Sequence, residues 1–268
     1  MSAAERWRAL LEAWALPPNL LAAVPDSPYE WPAGLWRRKA EPETDSPTLR
    51  VVAALLPPGG SLLDVGAGTG RASLALAARG HPLTAVEPDP KMAAALRDEA
   101  GAAGVKVRLI EESWPAVAPR AGRHDVALAA HVVYDVADLA PFLEALHRAA
   151  RAGVVLEAGE RHPWSGLRKY YQALHGLDRP DGPDAALLVE VVEEVLGLSP
   201  QVERWSGPGR LRFADLQGLV DLCRRRLLVP VERSAELAAL LAPEIVEEGG
   251  WLSLRDDPGV VTVWWPVG

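Results

Sequence analysis

Three glycines are spaced two residues apart in the run Asp64-Val65-Gly66-Ala67-Gly68-Thr69-Gly70. Glycine tolerates positive φ and lets a ligand approach the backbone closely. An apolar run, Ser61 to Val65, precedes the loop, and a helical pattern, Ala72 to Ala78, follows it. A loop between a strand and a helix offers unpaired N–H groups that favour an anionic group. Glu87 closes the next strand candidate, 21 residues after Gly66. An acid there can accept both hydroxyls of a ribose, at roughly 1.5–3 kcal/mol per hydrogen bond to a charged acceptor. The chemistry implied is recognition of a nucleoside.

The third glycine narrows which nucleoside. A dinucleotide loop, G-x-G-x-x-G/A, needs a small residue at position 71. Arg71 stands there instead, and the third glycine comes one place early. A bulky side chain obstructs the close helix–strand approach of that pattern. An NAD-dependent oxidoreductase is therefore the alternative, not the leading reading.

The loop and the segment Val86-Glu87-Pro88-Asp89-Pro90-Lys91-Met92 resemble the first two signatures of class I methyltransferases that use S-adenosylmethionine (SAM). The likeness continues through Glu111-Glu112-Ser113-Trp114 and through Asp125 to Tyr134, so it covers residues 61–158 in the family's order. It implies SAM as cofactor and a Rossmann-like fold. Asp64 would hold the methionine end, directly or through water, and Gly66, Ala67 and Gly68 would line it. Glu87 would hold the ribose, and Pro88 and Met92 would pack against adenine. Glu112, Ser113 and Trp114 would read the adenine edge. Ala130 and His131 would run along the cofactor toward the sulfur. The wider chain is similar to bacterial members of the superfamily, notably in His175-Gly176-Leu177-Asp178-Arg179-Pro180 and Trp264-Trp265. That wider likeness names no substrate.

Methyl transfer of this kind is an in-line displacement, and positioning alone can supply about 7–11 kcal/mol. A base is needed only if the nucleophile arrives protonated. His131 and Tyr134 are the candidates, with a steric or hydrogen-bonding role as the plainer alternative. Glu157, Glu160 and His162 cluster after the fifth strand and read as a solvated rim rather than a metal site. Tyr170, Tyr171 and His175 read as packing of a cap helix. No Pro-Pro-Tyr type motif follows Ala130, and Cys223 is not placed for cytosine chemistry. What remains is a small-molecule acceptor or an unassigned macromolecule; a SAM-binding module without catalysis is a further alternative.

These residues need a scaffold. Strand candidates at Ser61–Val65, Pro82–Glu87, Val105–Ile110, Asp125–Ala130 and Gly153–Leu156 alternate with helical patterns. Such alternation predicts a doubly wound, mostly parallel seven-stranded α/β sheet with helices on both faces. Gln201–Trp205 and Val260–Trp265 supply two late strands that pair antiparallel at the edge. The chain is expected as one domain: an N-terminal helical arm or lid over 1–47, a SAM-binding core over 48–158, and a helical cap over 159–268 holding the last two strands. Residues 160–200 and 207–248 look mostly helical. Trp7, Trp14, Trp31 and Trp36 in the arm would close over the cofactor or meet a partner.

Composition limits the rest. The 268 residues are 49% apolar and 24% charged, as in globular domains. A single cysteine, Cys223, rules out a disulfide framework and fits a reducing cytoplasm. The net charge of −8 disfavours nucleic acid without excluding it. Arg224, Arg225 and Arg226 read as the solvated face of a helix. No run suggests a membrane span or a secretory signal. Oligomeric state is not readable.

Overall fold

The computed structural model describes residues 1–22, 24, 45–206, 212–255 and 259–268. β1 (Leu62–Val65) lies between β2 (Leu83–Val86) and β4 (His124–Ala130), parallel to both. β3 (Val107–Ile110) pairs outside β2, and β5 (Ala150–Gly159) outside β4, again in parallel. β9 (Val260–Pro266) runs antiparallel to β5, and β6 (Gln201–Trp205) antiparallel to β9. The seven strands follow the order β3-β2-β1-β4-β5-β9-β6. The order reverses at β1, the crevice where ligands sit in open α/β sheets.

Successive side chains of a strand point to opposite faces, and buried parallel strands are apolar on both. Leu62, Val126, Leu128 and Val155 pack on one face, with Leu49 and Val52 of α3 (Pro47–Leu55). Leu63, Val65, Ala127, Ala129, Val154 and Leu156 pack on the other. There they meet Phe142, Leu143 and Leu146 of α7 (Leu139–Ala149) and Leu188, Val191 and Val192 of α9 (Ala185–Leu196). Between these helices in the chain lie α4 (Leu74–Ala77), α5 (Pro90–Ala102), α6 (Ala118–Ala121) and α8 (Arg168–His175).

The arm begins with α1 (Ala3–Ala13), started by a capping box in which Ser2 and Glu5 satisfy each other's backbone N–H. Trp7 is fully buried and its Nε1 donates to the Val136 carbonyl at 2.9 Å. Glu194 of α9 accepts from the Ala3 and Ala4 amides at 2.7 and 3.3 Å, an acid placed at a helix N-terminus. A short α2 (Pro18–Leu21) follows; Trp31 and Trp36 lie outside the described residues.

A second apolar cluster forms the cap. It joins Trp14, Tyr170 and Tyr171 to Leu219 and Leu222 of α10 (Leu216–Arg226) and to Leu237 and Leu241 of α11 (Ser234–Leu241). Two expectations change here. Ile245–Glu248 is not helical; it forms β7, hairpinned to β8 (Trp251–Leu254). Gly249 and Gly250, with φ of +57° and +78°, supply the two-residue turn that such a hairpin favours. The pattern Ala72–Ala78 yields only the single turn α4, because the chain is still turning through residues 71–73. Among the described residues no helix is long and apolar enough to cross a membrane.

Candidate active site

The glycine loop hangs from the end of β2. The Gly66 and Ala67 amides donate to the Val86 carbonyl at 2.8 and 3.1 Å, and the Gly68 amide to Glu87 Oε2 at 2.7 Å. Gly66 sits at φ +68°, where a Cβ would lie 2.4 Å from Val132 Cγ2. Only glycine fits there, on both counts. Gly68, at φ +56°, instead faces open space. Glu87 Oε1 accepts from the Asp89 amide at 2.9 Å. Asp89 in turn caps α5 by accepting from the Lys91 and Met92 amides. Burial pushes the Glu87 carboxyl above its ordinary pKa, and its two backbone hydrogen bonds only partly oppose that.

Above these strand ends opens a cavity of about 720 Å³. One wall is Gly66, Ala67, Gly68, Thr69 and Arg71, with Glu87, Asp89 and Met92 beside it and Ala130, His131 and Tyr134 from the end of β4. The facing wall comes from the arm, through Leu11, Trp14 and Leu16, and from the cap, through His162, Trp164, Leu167, Tyr171 and Arg226.

Of the residues expected around a cofactor, Gly66, Ala67, Gly68, Glu87, Met92, Ala130 and His131 line this space, while Asp64, Pro88, Glu112, Ser113 and Trp114 do not. Asp64 is buried beneath the loop, and burial, only partly offset by Ser73, pushes its carboxyl up to about 6. Glu112 turns to Arg120 at the surface, and Ser113 is exposed. Trp114 faces inward: its Nε1 donates to the Phe142 carbonyl at 3.2 Å and its ring packs on the sheet's core.

At the end of β5 a charged network was not foreseen. Glu157 is 2% exposed and accepts from Arg71 at 2.8 Å and from His131 Nε2 at 2.9 Å through the same oxygen. Burial opposes its charge, yet His131, Arg71 and a Thr48 hydrogen bond together hold its carboxyl well below the usual range. His131 also donates its backbone N–H to the Glu157 carbonyl at 2.7 Å. Its φ of +59° is uncommon for a residue other than glycine, and such strain clusters at functional sites. Arg71 therefore turns toward β5 instead of against the helix. The His131 ring gives Nε2 to Glu157 while Nδ1 is buried in the protein, and the Tyr134 hydroxyl accepts from the Gly159 amide. Both candidate bases are held by the protein in this arrangement.

The expected solvated rim is corrected. Glu157 and His162 are buried, His162 because it stacks on Trp14 with centroids 4.5 Å apart; only Glu160 is partly exposed, beside Arg204. Among the described residues no group of three His, Cys, Asp or Glu side chains is placed to hold a metal. The arginine run is corrected too: Arg224 is buried and Arg226 lines the cavity, its guanidinium 4.3 Å from the Trp164 ring centroid. Helix α10 packs on the cap's core, so Arg224 is shut away from water while Arg225 and Arg226 are only partly exposed. Tyr170 and Tyr171 are buried, and His175 Nε2 lies 2.6 Å from the Leu227 carbonyl, as cap packing requires, but Tyr171 also lines the cavity. Arg179 was not singled out for any role. It is buried between the rings of Trp14 and Tyr171, 4.7 Å from each centroid, and donates to the Trp14 and Ala15 carbonyls. The only advance signal was its place in the segment His175 to Pro180.

Residues 63–157 match the model of a methyltransferase domain family. No curated protein sequence matches the chain. A structure determined for the conversion of a disulfide bond into a thioacetal group during echinomycin biosynthesis is 18% identical, with a TM-score of 0.52 over 85% of this chain and 84% of that one. Magnesium protoporphyrin IX methyltransferase from Synechocystis, with bound SAH, is 17% identical, with a TM-score of 0.51 over 74% and 88%. A putative methyltransferase from Bacillus halodurans is 14% identical, with a TM-score of 0.55 over 83% and 99%. At these identities the likeness is one of fold.

Proposed function

We propose that this chain is a class I SAM-dependent methyltransferase, as the match of residues 63–157 to a methyltransferase domain family supports, and that it transfers the methyl group of SAM to a small molecule held beneath the cap. The observation that carries this is the single cavity walled by the glycine loop and Glu87 on one side and by the arm and cap on the other. Its volume falls within the roughly 300–1,000 Å³ of small-molecule sites. The residues present fit the cofactor. Glu87 has a lone pair left on each oxygen after its backbone bonds, enough for two ribose hydroxyls. Met92 and Ala67 offer apolar surface beside it, and Gly68 leaves the loop open to an approaching ligand. Bound SAM supplies a methyl group already activated by positive sulfur.

The chain's own residues then position and enclose. Ala130 and His131 fix the wall along the path of transfer, with His131 locked by Glu157. The arm serves as the lid through its described residues, of which Leu11, Trp14 and Leu16 close the far side. His131 and Tyr134 act through shape and hydrogen bonding, which suits an acceptor that attacks without help from a side-chain base. In this reading the lone Cys223, buried with its thiol pushed up to about 12, stays reduced in the cytoplasm.

Calorimetric titration with SAM, with its demethylated product SAH and with NAD tests the cofactor. SAM and SAH should bind and NAD should not; NAD binding without SAM binding overturns the reading in favour of an oxidoreductase. A methyl-label screen of fractionated extract tests the transfer. Label should enter the metabolite fraction, and its absence from every fraction would favour a SAM-binding module without catalysis.

A further inference from the structure

The end of α1 is held from the cap. A helix leaves its last carbonyls unpaired, and a cation there both satisfies them and offsets the negative end of the helix dipole. The last turn of α1 carries no basic residue of its own. Arg179 supplies one from the cap: it donates to the Ala15 carbonyl at 3.3 Å and to the Trp14 carbonyl. Its planar guanidinium also lies 4.7 Å from the ring centroids of Trp14 and Tyr171, where stacking and cation–π attraction act together. Arg179 itself is buried behind the wall, but both rings it touches line the cavity. Gly182, three residues on, completes the seat. At its φ of +79° a Cβ would lie 2.6 Å from Trp14 Nε1 and 2.7 Å from His162 Cβ, so only glycine lets this segment close on both. From Trp14 the contact passes into the site. His162 stacks on Trp14, Tyr134 meets His162 edge-on at 5.8 Å, and the His131 ring lies 6.4 Å from that of Tyr134. All four rings line the cavity.

We propose that Arg179 is a positioning residue of this site: with Gly182 it fixes Trp14, at the end of the arm, against the cap, and through Trp14 it sets the wall that covers the bound cofactor. This rests on the methyl-transfer reading for the ligand that the wall covers. The beginning of α1 is tied down by other bonds, from Trp7 to Val136 and from Ala3 to Glu194. Loss of Arg179 therefore frees the chain from Trp14 onward and leaves the start of the helix in place.

Hydrogen exchange of the full chain, read by mass spectrometry with SAH as the probe, tests this, because exchange separates local opening from global unfolding. In the parent, saturating SAH should slow exchange at residues 14–21 at least tenfold. Arg179→Ala should speed exchange there at least tenfold, leave residues 3–12 unchanged, and weaken SAH at least tenfold by calorimetry. Arg179→Lys, which keeps a cation between the two rings, should recover part of both losses. Gly182→Ala, which crowds Trp14 without removing a charge, should reproduce the Arg179→Ala pattern. A merely structural role gives a different result: exchange that quickens throughout the chain, or SAH affinity that stays at the parent value. Either overturns the inference. So does a parent that binds SAH with no slowing at residues 14–21, a measurement that needs no variant to fold. A parent that binds no SAH overturns the methyl-transfer reading, and exchange at residues 14–21 in Arg179→Ala then decides whether Arg179 holds the arm.

Discussion

The ends of β2 and β5 each carry a buried glutamate beneath the cavity, but their partners differ. Glu87 is held by two backbone amides, those of Gly68 and Asp89. Glu157 is held by side chains: Arg71, His131 and Thr48. Both acids are desolvated, which favours their neutral forms. For Glu87 burial wins and the pKa rises; for Glu157 the charged partners win and it falls. The type of partner, not the depth, decides the sign. The two ends also differ in what they face. Glu87 lines the cavity, whereas Glu157 fixes two residues that do, Arg71 and His131.

The largest expected effect breaks the β5 end. Glu157→Ala leaves Arg71 and His131 without their shared anion, and losing one partner of a buried pair costs roughly 3–5 kcal/mol. Denaturant unfolding measures it; a loss below about 1 kcal/mol would mean that the network contributes little to stability. Next comes Asp64, a third buried acid, whose carboxyl stands near 6 instead of 3.8. Its folded-state pKa is raised, so its stability contribution is full below about pH 4 and is lost as pH rises through 6. At about 1.4 kcal/mol per unit, Asp64→Asn should stabilise the chain by about 3 kcal/mol at pH 7.5 and flatten the slope of stability between pH 4 and 6. An unchanged slope would show that another group titrates there.

Smaller still is the change at the β2 end. Glu87→Ala should weaken SAM by about 1.5–3 kcal/mol, one lost hydrogen bond to a charged acceptor, read by calorimetry. Affinity equal to that of the parent would remove Glu87 as the ribose acceptor. The smallest effect is the pH dependence of the two glutamates themselves. Glu157's contribution should stay level above its unfolded pKa near 4.5 and fade only as pH drops toward its depressed value. Glu87's should run oppositely, fading as pH rises through its raised value. Stability curves for Glu157→Gln and Glu87→Gln should therefore depart from the parent curve at opposite ends of the acidic range; departure on the same side would collapse the comparison.

The same division marks what the sequence could reveal. The glycine loop, Glu87 and the strands β1 to β5 are written in local spacing and apolar runs, and so are their positions at strand ends. Arg226, Arg179 and His162 are not, because each owes its place to partners far away in the chain. Arg226 lies on Trp164, Arg179 on Trp14, and His162 on Trp14. A run of three arginines looks solvated unless the second core beneath it is known. Glu157 looked like a rim residue because its partners, Arg71 and His131, come from other strand ends. Trp114 and Glu112 were assigned from family likeness alone, and the structure gives them an inward carbonyl and a surface arginine instead. The hairpin at Ile245 to Leu254 went unread, since 207–248 looked mostly helical, although Gly249-Gly250 between β-prone runs is a turn signal.

Three contacts of the arm bear on the order in which the chain assembles. Helix α1 and Trp14, which caps its end, find their partners 129 residues later at Val136, 165 later at Arg179 and 191 later at Glu194. A helix of 11 residues is marginal in water by itself. At a synthesis rate of about 5–20 residues per second, the residues of α1 wait roughly 10–40 s for their seat to be made. The wall of the cavity that carries Trp14 is thus made well before its seat and is among the last parts to be placed, and its tryptophans report the closing step of folding.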